Sequence, residues 1–191
     1  MKRLRTFIAV DLGKAIRDRL VSLQERLAQS GAPVKWVEVE NLHVTLLFLG
    51  EVDERDVPAV CTVVADVCRQ HAAFTASVER ASCFGNPRRP RTLWVGVGTG
   101  KQELCALHDA LEPPLLDLGC YRREERKYTP HVTIGRVKTD RPSDTLAAAL
   151  AKHADWHAGE VLVRELLVLS SELTPDGPIY TVLSRAKLGS V

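Results

Sequence analysis

Apolar positions along this chain follow two rhythms, one of period two and one near 3.6, and they alternate from end to end. Leu4 to Leu12, carrying Phe7, Ile8 and Val10, reads as a strand that Gly13 breaks. Ile16, Leu20, Leu23 and Leu27 then recur at helical spacing and predict an amphipathic helix over 14–29. Ser30 to Pro33 is a turn, followed by a short strand at 34–37 and a strongly apolar one at 42–49. Val57, Val60, Val64 and Val67 predict a second helix despite their β-branching, with Asp53 as its N-cap. Strands are expected at 74–82 and 92–97, separated by a Pro/Arg-rich loop, Asn86–Arg91. Leu104, Leu107 and Leu111 mark a third helix, which Pro113 and Pro114 end or interrupt. A strand at 131–137, a helix around 143–153 and strands at 160–169 and 179–186 complete the pattern.

Helices and strands are interleaved, which gives an α+β or α/β class with antiparallel pairing. Each half holds two helices and one His-Val-Thr strand, and the two motifs lie 88 residues apart. That spacing is close to half the chain and points to a duplication of lobes.

Composition narrows this only a little. The 191 residues, 45% hydrophobic and 26% charged, fit one generous domain or two small lobes around one core. A net charge of +2 predicts no strong non-specific attraction to nucleic acid, so any such attraction must come from local clusters. The five cysteines are odd in number and none has C-x-x-C spacing, which reads as reduced thiols rather than a disulfide framework or zinc site. The apolar run Phe7–Val10 is too short for a signal segment or a membrane span. A cytoplasmic protein without membrane contact is expected.

The chemistry sits on the two motif strands. Alternation puts His43 and Thr45 on one face, and Val44, Leu46 and Phe48 on the core face. It likewise puts His131 and Thr133 together, opposite Val132 and Ile134. With 6 His, 12 Thr and 45% apolar residues, chance supplies roughly 0.08 copies of His-apolar-Thr-apolar. Two copies therefore favour function, although either one alone reads as a half-buried strand histidine. Two facing imidazoles suit phosphoryl transfer without a metal or cofactor: a neutral one takes a proton from water and a protonated one gives a proton to the leaving oxygen. The threonine hydroxyls would hold non-bridging phosphate oxygens. A cyclic phosphate is a natural substrate, because its ring is strained and its leaving oxygen stays tethered.

The segments RTFIAVDL, ENLHVTLLFLGEV (40–52), RTLWVGV (91–97), YTPHVTIGRV (128–137) and SSELTPDGPIYTVLSRAKL (170–188) make the chain resemble the two-histidine phosphoesterase superfamily. More narrowly, it resembles the RNA 2′,3′-cyclic phosphodiesterases, historically called 2′-5′ RNA ligases. The resemblance implies one α+β domain over 1–191, built as two pseudo-two-fold lobes. It implies two antiparallel sheets facing a central cleft, with helices outside. It also implies hydrolysis of RNA 2′,3′-cyclic phosphate ends to 2′-phosphates, with His43 as proton donor to O3′ and His131 as proton acceptor from water. Thr45, Thr133 and Arg136 would bind the substrate phosphate. Tyr128 stands where the family often has Phe, and no consequence is expected.

Arg136 falls on the wrong face by strict alternation, unless Gly135 introduces a bulge. Arg88, Arg89 and Arg91, and the cluster Arg122, Arg123, Arg126 and Lys127 diluted by Glu124 and Glu125, are candidates for steering RNA phosphates. Trp36, Phe48 and Tyr128 are candidates for stacking on a terminal base, although alternation turns Phe48 to the core. His153 and His157 have helical metal-ligand spacing but no evident third ligand, and His71 and His108 read as structural or exposed. Two alternatives remain: a ligase joining the cyclic phosphate end to a 5′-hydroxyl, and a non-catalytic RNA-end-binding module. Water at roughly 55 M favours hydrolysis over ligation. A monomer is expected.

Overall fold

The computed structural model describes residues 2–122, 127–175 and 177–189. In chain order the elements are β1 (Arg3–Asp11), α1 (Gly13–Ala28), β2 (Val34–Trp36), β3 (His43–Asp53), α2 (Val57–Arg69), β4 (Phe74–Asn86) and β5 (Arg89–Val97). They continue with α3 (Lys101–Asp117), β6 (His131–Val137), α4 (Asp144–Lys152), β7 (His157–Val163), β8 (Glu165–Thr174) and β9 (Gly177–Lys187). The class is α+β, and the described strands pair antiparallel in the order β7-β4-β5-β6-β3-β1-β8-β9, with β2 on β6.

The two expected sheets are thus one curled sheet. Its halves, β7-β4-β5-β6 and β3-β1-β8-β9, join edge to edge through Val44 opposite Val132. Helices α1 and α4 cover the first half, and α2 and α3 cover the second. The helix leading to each motif strand therefore packs on the opposite half: α1 precedes β3 but lies on β6 and β7, and α3 precedes β6 but lies on β3. This crossing interlocks the halves around one core, where Leu20, Leu23, Leu27, Leu104, Leu107 and Leu111 are fully buried.

Most expected elements form, and the departures have physical causes. Asp53 does not cap α2. It ends β3 and accepts bonds from the backbone and guanidinium of Arg55, which hold its carboxyl below the usual range. α3 runs through Pro113 and Pro114, because its apolar stripe continues to the fully buried Leu115 and packing outweighs the lost N–H groups. The strand expected over 160–169 is two strands. Arg164 separates them; β7 pairs β4 and β8 pairs β1, so the chain crosses between halves there. The Asn86–Arg91 segment is the end of a hairpin, with Asn86 paired to Arg89, rather than an open loop. Ser143 caps α4 by accepting from the Leu146 N–H. No helix among the described residues is long and apolar enough to cross a membrane.

Candidate active site

Val44 and Val132 point into the core, so the residues flanking each of them, His43, Thr45, His131 and Thr133, emerge together on the concave face. All four line one cleft, as alternation predicts.

Two β-bulges then override alternation. In β3, Ala9 faces Thr45 and Ile8 faces Leu47, so Leu46 is an extra residue. Leu46 and Leu47 are both buried, and Phe48 swings to the cleft, 51% exposed. In β6, Trp94 faces Thr133 and Leu93 faces Gly135, so Ile134 is the extra residue and Arg136 swings to the cleft. The core position expected for Phe48 is therefore wrong, and the bulge that Arg136 required is present one residue earlier than Gly135. Gly135 has its own reason: a Cβ there would come within 2.7 Å of Val34 and 2.9 Å of the Trp36 ring. The fifth residue after each histidine thus faces the cleft, a phenylalanine in one half and an arginine in the other.

The histidines are held alike. His43 Nδ1–H donates to the Asn41 carbonyl at 2.7 Å, and His131 Nδ1–H donates to the Thr129 carbonyl at 2.6 Å. Each bond selects the same tautomer and leaves Nε2 for chemistry. At His43, Nε2 accepts from the Thr45 hydroxyl at 2.9 Å. Each imidazole also packs between two rings: His43 against Phe7 (5.1 Å) and Tyr180 (5.5 Å), His131 against Phe84 (4.9 Å) and Trp94 (5.9 Å).

That burial favours neutral imidazole. It is the main cause that lowers His43 to about 4; the Asn41 carbonyl opposes it, and the Arg17 charge and His131 add to it. Burial also lowers His131 below its ordinary 6.5, against the Thr129 carbonyl and with help from Arg136. Arg17 donates to Asp11 and to the Leu42 carbonyl, which fixes an ion pair behind His43.

Trp36 lines the cleft, as base stacking requires. Tyr128 does not: its ring stacks on His108 at 4.3 Å and its hydroxyl donates to the Thr45 carbonyl at 2.9 Å. The hydroxyl that Phe would lack therefore has a consequence, tying the approach to β6 onto β3. Of the arginine candidates, Arg89 and Arg91 line the cleft. Arg88 sits beside Asp144, Arg122 and Lys127 are exposed away from the lining, and Arg123, Glu124, Glu125 and Arg126 lie outside the described residues. His153 caps the end of α4 and His157 opens β7, so they share no helix face. His71 bonds the Val67 carbonyl. The cysteines are free, with burial raising each thiol, that of Cys68 up to about 12. The residues the sequence reading missed are Phe7, Phe84, Trp94 and Tyr180. Phe7, Trp94 and Tyr180 lie in segments that carry the resemblance, but only register shows which rings meet a histidine.

Residues 14–174 match the 2′-5′ RNA ligase superfamily. The chain is 40% identical over 186 residues to the RNA 2′,3′-cyclic phosphodiesterase of Methanothermobacter thermautotrophicus, spanning 97% of this chain and all of that one. It is 35% identical over 180 residues to that of Thermotoga maritima, spanning 94% and 93%. Among solved structures, TT0787 of Thermus thermophilus superposes with a TM-score of 0.82 at 27% identity, covering 98% and 99%. E. coli LigT complexed with 3′-AMP gives 0.77 at 25%, covering 98% and 99%.

Proposed function

The chain belongs to the 2′-5′ RNA ligase superfamily, and we propose that it hydrolyses 2′,3′-cyclic phosphate ends of RNA to 2′-phosphates by two-histidine acid–base catalysis. The observation that carries this reading is the matched pair of Nδ1–H to carbonyl bonds, which presents Nε2 of both His43 and His131 to one cleft.

In the reaction, water attacks phosphorus and passes a proton to Nε2 of His131. The P–O3′ bond breaks in line, and O3′ takes a proton from Nε2 of His43. The product has a 2′-phosphate and a 3′-hydroxyl. The histidines end with their protonation exchanged, and solvent resets them. Arg136⁺ beside His131 favours the neutral base there, while the deeper burial of His43 opposes the acid, so the division of labour is the one the family resemblance implies. His43, lowered to about 4, must receive its proton together with the anionic phosphate, whose charge favours imidazolium. When His43 is protonated, its Nε2–H becomes a donor. The Thr45 hydroxyl is then released to donate to a phosphate oxygen, the role Thr133 and Arg136 share from the other strand.

Single-turnover hydrolysis of a cyclic-phosphate-ended oligonucleotide, run with a chelator present, tests the reading. His43→Ala and His131→Ala should each slow it by about 10²- to 10⁴-fold, the usual worth of one general acid or base. Unchanged turnover in either variant would defeat the proposal.

A further inference from the structure

The cleft forks away from the histidines. Thr45, Phe48, His131, Thr133 and Arg136 line both arms. One arm, of about 320 Å³, is walled by Trp36, Leu173, Pro178 and Tyr180 and has the size of a single small ligand. The other, of about 960 Å³, runs out along the β4–β5 hairpin past Phe84, Arg89 and Arg91. We infer that this second arm is the track for the RNA backbone on the 5′ side of the terminal ribose, with Arg89 and Arg91 binding its phosphates. The inference rests on the reading of the histidine pair as the cyclic-phosphate site.

The hairpin is built to present these two cations. Pro90 between them is buried, and Arg89 and Arg91 are both exposed and line this arm. Arg91 is an extra residue opposite Gly85, whose φ of 98° the turn of the strand requires. Neither guanidinium has an ion-pair partner among the described residues, whereas Arg88, next in line, lies 3.6 Å from Asp144. The tip is pinned: the Ser143 N–H donates to the Arg88 carbonyl at 3.0 Å, and the Arg88 N–H donates to Asn86 Oδ1 at 2.9 Å. The backbone that carries these two cations, neither of them ion-paired among the described residues, is therefore held in place along an open groove. Asp140 is the acidic side chain on this arm.

The substrate's chemistry supplies the occupant. An RNA ending in a 2′,3′-cyclic phosphate extends only through its 5′ side, and each further nucleotide brings one phosphate and one base. The smaller arm has room for one nucleoside, and the larger, which runs out along the hairpin, has room for a chain. Phe84, 40% exposed, offers a base a ring to stack on. With a net charge of only +2, attraction for phosphates has to be local, and Arg89 and Arg91 supply it on this arm as Arg5 and Lys35 do on the other.

The test compares two substrates that share a terminal nucleoside: the nucleoside 2′,3′-cyclic monophosphate with a free 5′-hydroxyl, and a hexanucleotide ending in it. The wild type and the Arg89→Gln/Arg91→Gln double variant are assayed on both. The ratio of kcat/KM for hexanucleotide over mononucleotide should fall about tenfold or more in the variant, the worth of a charge-assisted hydrogen bond. The log–log salt slope on the hexanucleotide should flatten by about 1.4, two single-strand phosphate contacts. An unchanged ratio and slope, or an equal loss on both substrates, would overturn the backbone track while leaving the central reaction intact. Wild-type protein that opens neither substrate would instead overturn the reading on which the track rests.

Discussion

Val44 and Val132 face each other across the antiparallel junction of β3 and β6, 2% and 0% exposed. This apolar pair is the registered contact between the two halves among the described residues, and it fixes which face of each strand carries histidine and threonine. A slip of one residue there would turn both motifs into the core. Val132→Ala should cost about 2 kcal/mol through lost burial and a residual cavity. That corresponds to a drop of about 4 to 8 °C in Tm for a chain this size. Calorimetry of the variant beside wild type checks it.

How far the sequence predicts this site depends on the distance from those valines. Alternation places His43, Thr45, His131 and Thr133 correctly, because the strands are regular over three residues. It fails five residues on, where Leu46 and Ile134 are extra residues that turn Phe48 and Arg136 into the cleft. Gly135 hints at the second irregularity, and nothing in LHVTLLFL hints at the first. The strand run over 160–169 hides the passage between halves at Arg164, since both strands are apolar on one face. The rings around each imidazole come from β1, β4, β5 and β9, whose pairing is a tertiary property. The helical stripes were legible except at the end of α3, which the prolines were expected to end or interrupt and which Leu115 carries past them.

The proposed pair of catalytic histidines predicts the pH dependence of kcat/KM, which reports the free enzyme. Catalysis needs one proton on the pair. His43 sits at about 4 and His131 below its ordinary 6.5. As pH rises past His131 the pair loses that proton, and below about 4 it gains a second. The profile should therefore peak on the acid side of 6.5, with unit slopes on both limbs. In Arg136→Gln the alkaline limb should move to higher pH, because a cation that disfavours imidazolium is gone. Initial rates from pH 3.5 to 8.5 decide this, and a plateau from pH 5 to 8 would contradict the assignment.

The same burial makes His43 a liability in acid. Its unfolded pKa is 6.5 and its folded value about 4, so between these the unfolded chain binds a proton that the folded one refuses. Its contribution is fully present above 6.5 and is lost as pH falls toward 4, by roughly 2 to 3 kcal/mol. His43→Phe keeps a ring between Phe7 and Tyr180 but removes the titration. The difference in urea unfolding free energy between pH 7.5 and 4.5 should shrink in this variant by about 2 kcal/mol.

Tyr128 supplies a hydroxyl to the Thr45 carbonyl from a ring stacked on His108. Tyr128→Phe removes the donor and keeps the stack. About 1 kcal/mol of stability should be lost, seen as a Tm lower by about 2 to 4 °C. An unchanged Tm would mean that the bond contributes nothing.

The central claim concerns which bond breaks between the two histidines. Digestion of an RNA ending in a 2′,3′-cyclic phosphate, followed by phosphorus NMR of the product, tests it most directly. The proposed reaction, in which O3′ leaves, predicts a 2′-phosphate alone. A 3′-phosphate product would place the leaving oxygen at O2′ and contradict the account.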